Sequence, residues 1–229
     1  MRRPLLFLIV LIIGKYSAAA EFAGYVALTT DYVKRGVSQS DSDPALQLGG
    51  DVNFANGFYL GAWASTTDID NGPDRHRDRE VDYYIGYVFD VTKSWRISAN
   101  AVAYVYPGQT GNIDYNYQEY SVGGSFDDRV WLEFAYSPDL YNTGLSSTNI
   151  DLYAEWPLNG VWSIGGGAGY YDTSNLTGSA YKYWQLGITR SFKWADVDLR
   201  VYDTDKWIPI ISTPDRAKSR VVLKIQIPF

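Results

Sequence analysis

The chain has 229 residues, of which 26 are acidic and 20 are Lys or Arg, giving a formal net charge of −6. This length suits one domain, and the negative charge disfavours nucleic acid as a partner. Cysteine is absent, which excludes disulfides, thiolate catalysis and cysteine metal sites. The 20 tyrosines, 9 phenylalanines and 8 tryptophans are too many for an ordinary soluble core in a chain of modest hydrophobicity.

Residues 1–20 have the pattern of a cleaved signal peptide. Arg2 and Arg3 are basic, Leu5 to Ile13 is an unbroken apolar run, and residues 17–20 are small, as signal peptidase requires. The run is much shorter than the roughly 20 residues that span a bilayer as a helix, and no other segment predicts such a helix. We expect export, cleavage near Ala20 and one mature domain over residues 21–229, where 17 basic and 26 acidic residues leave a net charge of −9.

The mature sequence contains runs with a period of two residues, separated by turn residues, and no useful helical period. These runs predict twelve strands, at 22–33, 44–55, 58–66, 81–90, 94–106, 117–126, 129–137, 148–157, 161–171, 181–192, 194–203 and 219–229.

The connections between these strands alternate between five short turns, such as Asn56-Gly57, and six longer loops, such as Thr204 to Lys218. Short periplasmic turns and longer extracellular loops are typical of outer-membrane barrels, and an even number of strands puts both termini in the periplasm. The sequence therefore predicts an all-β protein, a transmembrane antiparallel up-and-down β-barrel in a bacterial outer membrane.

The last strand has the clearest alternation, which predicts one face toward lipid and one toward a polar lumen. Its apolar face consists of Val221, Leu223, Ile225, Ile227 and Phe229. Other strands alternate in the same way, whereas Tyr25 and Trp63 leave the facing of their strands ambiguous. The terminal Phe229 also predicts recognition by the outer-membrane assembly machinery.

Aromatic residues concentrate near the predicted strand ends. The tryptophans near short turns are Trp95, Trp131, Trp156, Trp162 and Trp194. The tyrosines near long loops are Tyr104, Tyr106, Tyr117, Tyr136, Tyr170, Tyr171, Tyr181 and Tyr202. Because amphipathic rings prefer the membrane interface, we expect a tryptophan-rich inner girdle and a tyrosine-rich outer girdle.

The opposite strand face is polar and supplies the candidate channel lining. These residues are Asp51, Asn53, Asp82, Arg96, Asn100, Glu119, Glu133, Asp151, Glu155, Asp196, Asp198, Arg200 and Lys224. They form either a hydrophilic channel with a weak preference for cations, or ion pairs that fill a closed interior. Side chains fill barrels of about 8 strands and 16–18 strands leave a pore, so twelve strands permit both.

Patterns for catalysis or metal binding are weak, and we expect no enzyme activity, cofactor or metal site. The single histidine, His76, lies in a charged loop without a serine on a rigid element beside it. Asp68 to Gly72 resembles a calcium loop, but the residues that follow break the required spacing. The basic residues of the same loop, which are either solvated or contact lipopolysaccharide phosphates, are Arg75, Arg77 and Arg79.

Several segments resemble the TorF family of porins, a conserved proteobacterial outer-membrane family of unknown function. They are Thr29 to Ser40, Pro44 to Gln47, Asn56 to Tyr59 and Glu80 to Tyr87, with Arg35-Gly36-x-Ser38-Gln39 the most specific part. The resemblance implies an outer-membrane barrel, suggests a porin and transfers no catalytic residue.

Asp31, Arg35 and Gln39 lie where the first predicted strand enters the first external loop. They are candidates for the pore mouth, where they would narrow the channel. Equally, they would form a structural turn that an Asp31–Arg35 pair anchors.

The leading functional hypothesis is passive diffusion of small hydrophilic solutes. The alternatives are a non-conducting barrel for adhesion, lipopolysaccharide contact or envelope structure, and an outer-membrane enzyme that modifies lipids. The expected partners are membrane lipids, lipopolysaccharide, the assembly machinery and small hydrophilic solutes.

Overall fold

The computed structural model describes residues 20–68, 78–107 and 114–229, and of Asp78 the backbone alone. Apart from Ala20, the predicted signal peptide lies outside the described residues, as do His76, Arg75 and Arg77. The described chain forms a closed barrel of twelve antiparallel strands and a separate two-stranded hairpin. The predicted fold class is therefore confirmed.

The barrel strands follow the predicted segments closely. They are β1 (Ala20–Thr29), β4 (Ala45–Phe54), β5 (Phe58–Thr67), β6 (Asp78–Asp90), β7 (Trp95–Val105), β8 (Tyr117–Phe126), β9 (Val130–Ser137), β10 (Ser147–Pro157), β11 (Trp162–Asp172), β12 (Ala180–Ser191), β13 (Asp196–Thr204) and β14 (Arg220–Pro228). The hairpin strands are β2 (Val33–Lys34) and β3 (Val37–Ser38), and two short helical turns, η1 (Leu140–Asn142) and α1 (Ser174–Thr177), lie in external loops. Neither helical turn is long and apolar enough to cross a membrane.

One predicted boundary is wrong in an informative way. The first strand was expected to run to residue 33, but β1 ends at Thr29 and the chain then forms the hairpin. The hairpin strands have only two residues each, which is too short for a period of two to show in the sequence.

Pairing of the first and last strands closes the barrel. β1 and β14 are antiparallel, with Thr29 opposite Lys224 and Tyr25 opposite Pro228. Phe229 extends this pairing, because its amide donates to Gly24 O at 2.8 Å and its carbonyl accepts from Gly24 N at 3.0 Å. Closure leaves no open strand edge, which is the requirement for a sheet surrounded by lipid.

The outer surface of the barrel is apolar, as the alternation predicts. Leu48, Leu132, Leu152, Leu186 and Val221 are all exposed on it. The facing of the two ambiguous strands is also resolved. Tyr25 and Trp63 face inward, since they line one cavity together with interior residues.

On the inner surface of the barrel, tyrosine rings pack against glycines of neighbouring strands. A Cβ atom added at Gly86 would lie 2.4 Å from the Tyr59 ring, and one at Gly169 would lie 2.2 Å from the Tyr183 ring. Gly49 with Tyr25 and Gly165 with Tyr153 show the same close approach. These rings therefore lie flat against the wall instead of projecting across the lumen.

We expect Gly86→Ala to destabilise the barrel by about 1–3 kcal/mol, because the new methyl group would push the Tyr59 ring off the wall. Urea unfolding of the refolded protein, followed by tryptophan fluorescence, measures this loss. Gly160→Ala is the matched control, because no atom lies within 4 Å of a Cβ at that position. Equal stability of the two variants would contradict the interlocking of glycine and tyrosine.

Candidate channel and its inward hairpin

The first external loop folds into the barrel and carries the β2–β3 hairpin with it. Arg35 and Gly36 form the two-residue turn, with φ of 50° and 77°, which is the left-handed geometry that tight hairpins need. A Cβ atom at Gly36 would lie 2.5 Å from Thr204 Cγ2 on β13, so the hairpin tip packs directly on the barrel wall. The wall contact and the positive φ together require glycine here.

Asp31 fixes the base of the hairpin. Its carboxylate accepts hydrogen bonds from Ser38 Oγ at 2.6 Å and from Ser40 Oγ at 2.9 Å. It also forms a buried ion pair with Arg220 at the start of β14. The alternative of an Asp31–Arg35 pair is therefore wrong, because the partner of Asp31 is a residue of the barrel wall.

Gln39 continues this base. Its side-chain amide donates to Val37 O at 3.0 Å within the hairpin. Its backbone carbonyl accepts from Asp68 N at 2.8 Å, which ties the loop to the end of β5. Asp31, Arg35 and Gln39 thus belong to one inward loop, and their role in narrowing a conducting pore stays a prediction.

Lys34 extends from the hairpin into a pocket of the barrel wall. Its Nζ lies 3.1 Å from Glu80 Oε1, 3.2 Å from Tyr117 Oη and 3.5 Å from the centre of the Tyr104 ring. Burial would favour the neutral amine, but the charges around it, Glu80 foremost, prevail and raise the pKa of Lys34 well above its usual value. Lys34 is therefore a permanent cation at neutral pH.

Arg35 fills a second pocket beside the first. Its Nη2 donates to Glu119 Oε1 at 2.7 Å, and its guanidinium carbon lies 4.5 Å from the centre of the Tyr171 ring. Glu119, a predicted channel-lining residue, is buried and neutralised by this contact.

A cluster of tyrosines surrounds the hairpin in the outer half of the barrel. Its buried members are Tyr104, Tyr106, Tyr117, Tyr171, Tyr181 and Tyr183, packed with Val37, Leu140 and Ile208. The predicted tyrosine-rich outer girdle is therefore largely wrong: Tyr136 and Tyr170 are exposed on the outer surface, whereas the other six of the eight tyrosines lie inside. The two-residue period explains the difference, because alternate residues of a strand face the lumen.

Five tryptophans were assigned to the inner girdle. The contacts of Trp131 contradict this assignment, whereas those of the other four do not. Trp131 lines the inner cavity and its ring centre lies 5.7 Å from that of Tyr153. It therefore belongs to the lumen wall.

Four predicted lining residues in the inner half are carboxylates held by neutral donors. Glu133 accepts from Ser121 Oγ at 3.0 Å, and Glu155 accepts from Ser163 Oγ at 2.7 Å. Asp51 accepts from Tyr84 Oη at 2.5 Å, and Asp151 accepts from Asn149 and Tyr183. No Lys or Arg among the described residues lies within ion-pair distance of these four carboxylates.

A cavity of about 410 Å³ lies in this inner half, and Asp51, Asn53, Arg96 and Glu133 are among the residues that line it. Arg96 bridges Asp90 at 3.0 Å and Asp128 at 2.8 Å where β7 begins, so its charge is compensated at the inner rim.

The remaining predicted lining residues have varied surroundings. Arg200 pairs with Asp198 at 3.0 Å, and Lys224 lies 5.5 Å from the centre of the Tyr25 ring. Asp82 and Asn100 each have a buried side-chain oxygen without a hydrogen-bond partner in the described chain. Asp196 is half-buried at the start of β13, opposite Gln226.

Sequence reasoning did not identify Lys34, Glu80 or Arg220 as functional candidates. Glu80 is completely buried and extends the alternation that includes Asp82, so the period of two was a usable signal for it. The alternation of the last strand placed Arg220 on its polar face, but did not indicate its partner Asp31. No sequence signal pointed to Lys34, whose partner Glu80 lies on a strand distant in the chain.

The external loops show little metal-binding chemistry. Of the calcium-like segment, the described part ends at Asp68, whose Oδ1 lies 3.9 Å from Arg216. Within residues 20–68, 78–107 and 114–229, no group of three or more His, Asp or Glu side chains is arranged to hold a metal ion. Arg79 is exposed, and its proposed contact with lipopolysaccharide stays a prediction.

Comparison with known proteins agrees with this architecture. A family model described as a bacterial protein of unknown function (Gcw_chp) matches residues 15–225. The chain belongs to this family. The narrower resemblance to the TorF family stays a prediction.

Solved porin structures share the fold. The KdgM porin has a TM-score of 0.58 and 12% identity, over 91% of this chain and 99% of the porin. The NanC porin has a TM-score of 0.57 and 10% identity, over 91% of this chain and 99% of the porin. Identities this low show a common fold and nothing finer.

A curated relative matches part of the sequence. The vitamin B12 transporter BtuB of Vibrio cholerae serotype O1 is 26% identical over 147 residues, which are 53% of this chain. The chain covers 24% of the length of BtuB.

We expect Asp31→Ala to destabilise the protein by about 3–5 kcal/mol, because it leaves the Arg220 guanidinium buried without its partner. Chemical unfolding in detergent, read by heat-modifiable gel mobility, measures the effect. The control is Asp215→Ala, which removes an exposed carboxylate 3.5 Å from Lys218 and should leave stability unchanged. A mild effect of Asp31→Ala would mean that Arg220 does not depend on the hairpin.

Proposed function

We propose that the protein is an outer-membrane channel for passive diffusion of small hydrophilic solutes, with a weak preference for cations. The observation that carries the proposal is the set of four inner-half carboxylates, Asp51, Glu133, Asp151 and Glu155, whose donors are hydroxyl and amide groups. A wall carboxylate without a basic partner keeps its charge toward the lumen, where it attracts cations and repels anions.

The packing of the inner wall supports an open path through this half. Tyr59 and Tyr153 lie against glycines of neighbouring strands, so these large side chains leave the centre of the lumen free. The fold shared with the KdgM and NanC porins supports a channel and an outer-membrane location. It also favours a non-enzymatic role.

One of these porins has been solved with a ligand. The KdgM porin has also been solved in complex with disordered oligogalacturonate, an acidic oligosaccharide. The acidic lumen of the present chain argues for a different preference, because like charges along the wall would repel a polyanion.

One observation favours a second candidate, a non-conducting barrel for adhesion, lipopolysaccharide contact or envelope structure. The hairpin and the tyrosine cluster occupy the outer half of the lumen, and ion pairs of Lys34 and Arg35 hold the hairpin there. Conductance of the refolded barrel in a planar bilayer decides between the candidates, since a closed barrel gives no current steps.

Neutralising the four carboxylates tests the cation preference. We expect Asp51→Asn, Glu133→Gln, Asp151→Asn and Glu155→Gln together to move the reversal potential in a salt gradient toward zero, because the fixed lumen charge is lost. The control removes four exposed carboxylates, at Asp43, Asp114, Asp205 and Asp215, and should cause a smaller shift. Equal shifts in the two variants would place the selectivity outside the lumen.

Releasing the hairpin tests whether it narrows the path. We expect the double variant Lys34→Ala/Arg35→Ala to conduct more than the unmodified protein, because both ion pairs that hold the hairpin tip are removed. Single-channel recordings measure the change, after heat-modifiable mobility has shown that the barrel has folded. A folded variant with unchanged conductance would mean that the path does not pass the hairpin.

A further inference from the structure

The two pockets that hold Lys34 and Arg35 belong to the barrel, whereas the cations inside them belong to a loop. Glu80 lies on β6, Tyr104 on β7, Tyr117 and Glu119 on β8, and Tyr171 on β11. All five side chains are at least nine-tenths buried. The pockets are thus part of the wall, and the loop supplies their occupants.

The first pocket has the chemistry of an ammonium site. Glu80 and the Tyr117 hydroxyl accept two hydrogen bonds from the Lys34 ammonium, and the face of Tyr104 lies 3.5 Å away. Tyr32 donates to the second oxygen of Glu80 at 3.2 Å, which orients the carboxylate. A carboxylate, a hydroxyl acceptor and an aromatic face are the groups that recognise alkylammonium ions.

The second pocket has the chemistry of a guanidinium site. Glu119 accepts from Arg35 at 2.7 Å and from the Tyr104 hydroxyl at 3.4 Å. The Tyr171 ring faces the guanidinium at 4.5 Å. Tyr104 contributes to both pockets, so the two sites are adjacent.

Withdrawal of the hairpin would leave Glu80 and Glu119 buried without their cations. Burial of an unpaired charge is strongly unfavourable, so the hairpin is stable outside the pockets only when other cations replace Lys34 and Arg35. A replacement must also fit a buried, partly aromatic pocket, which favours an organic cation over a strongly hydrated metal ion.

We propose that these pockets are a binding site for small organic cations that carry primary ammonium or guanidinium groups, and that such solutes enter by displacing Lys34 and Arg35. That these cations are substrates of the channel rests on the proposed function. The hairpin acts as an internal competitor, which keeps the outer half filled until a cation of the right chemistry takes its place.

A single cysteine reports displacement of the hairpin. Val37 lies on β3 with 3% exposure, and because the chain has no cysteine, Val37→Cys gives one buried thiol. Agmatine, which carries one ammonium and one guanidinium group, is added to the refolded variant in detergent and maleimide labelling is followed. At ten times its dissociation constant for the displaced state, it should speed labelling about tenfold.

Tetramethylammonium at equal ionic strength is the control for this measurement, because it has the charge but no N–H donor. Faster labelling with agmatine alone supports the proposal. Equal rates with both compounds, or no acceleration with either, overturn it.

Variants with emptied pockets test the same sites independently of hairpin movement. Lys34→Ala should bind n-propylammonium and Arg35→Ala should bind ethylguanidinium, as measured by calorimetry, since each probe replaces the missing part of the side chain. Arg190→Ala, which removes a cation near Trp162 on the outer side of the barrel, should bind neither. Failure of both emptied variants to bind their probes, when heat-modifiable mobility shows that they are folded, overturns the proposal.

These measurements need no current, so they separate the two proposals. A barrel that responds to agmatine but does not conduct in a bilayer keeps the binding site and refutes the channel. A conducting barrel that does not respond to agmatine keeps the channel and refutes the site.

Discussion

The closed hydrogen-bond network of the twelve strands is the constraint on which the other features depend. Lipid offers no partner to a backbone amide, so β1 must pair with β14 and every barrel strand must keep its extended geometry. Extended geometry sends alternate side chains inward, whatever their size. The barrel must therefore accommodate large inward-facing side chains in a limited interior volume.

The two halves of the barrel accommodate large inward-facing side chains in different ways. In the inner half, tyrosines lie flat because the neighbouring strand has glycine at the point of contact, as at Gly86 and Gly165. In the outer half, the buried tyrosines pack with one another and around the hairpin. The same residue type thus keeps space open at one end of the barrel and fills it at the other.

Much of the fold could be predicted from the sequence because the period of two is a local property. The strand count, the loop alternation and the outward face of β14 all follow from it. The inward loop could not be predicted in this way, since Asp31 meets Arg220 and Arg35 meets Glu119 only after the barrel has closed. The tyrosine girdle failed for another reason: tyrosine suits a membrane interface and a packed lumen equally, and composition alone does not distinguish them.

The inner and outer halves of the barrel also differ in the groups that partner their carboxylates. The outer carboxylates Glu80 and Glu119 face the cations of the hairpin, so their charges are compensated. The inner carboxylates have hydroxyl and amide partners, which satisfy their hydrogen bonds without cancelling their charge. The two halves therefore differ in what their carboxylates hold: the outer ones bind an ammonium and a guanidinium group of the protein itself, and the inner ones bind groups without charge.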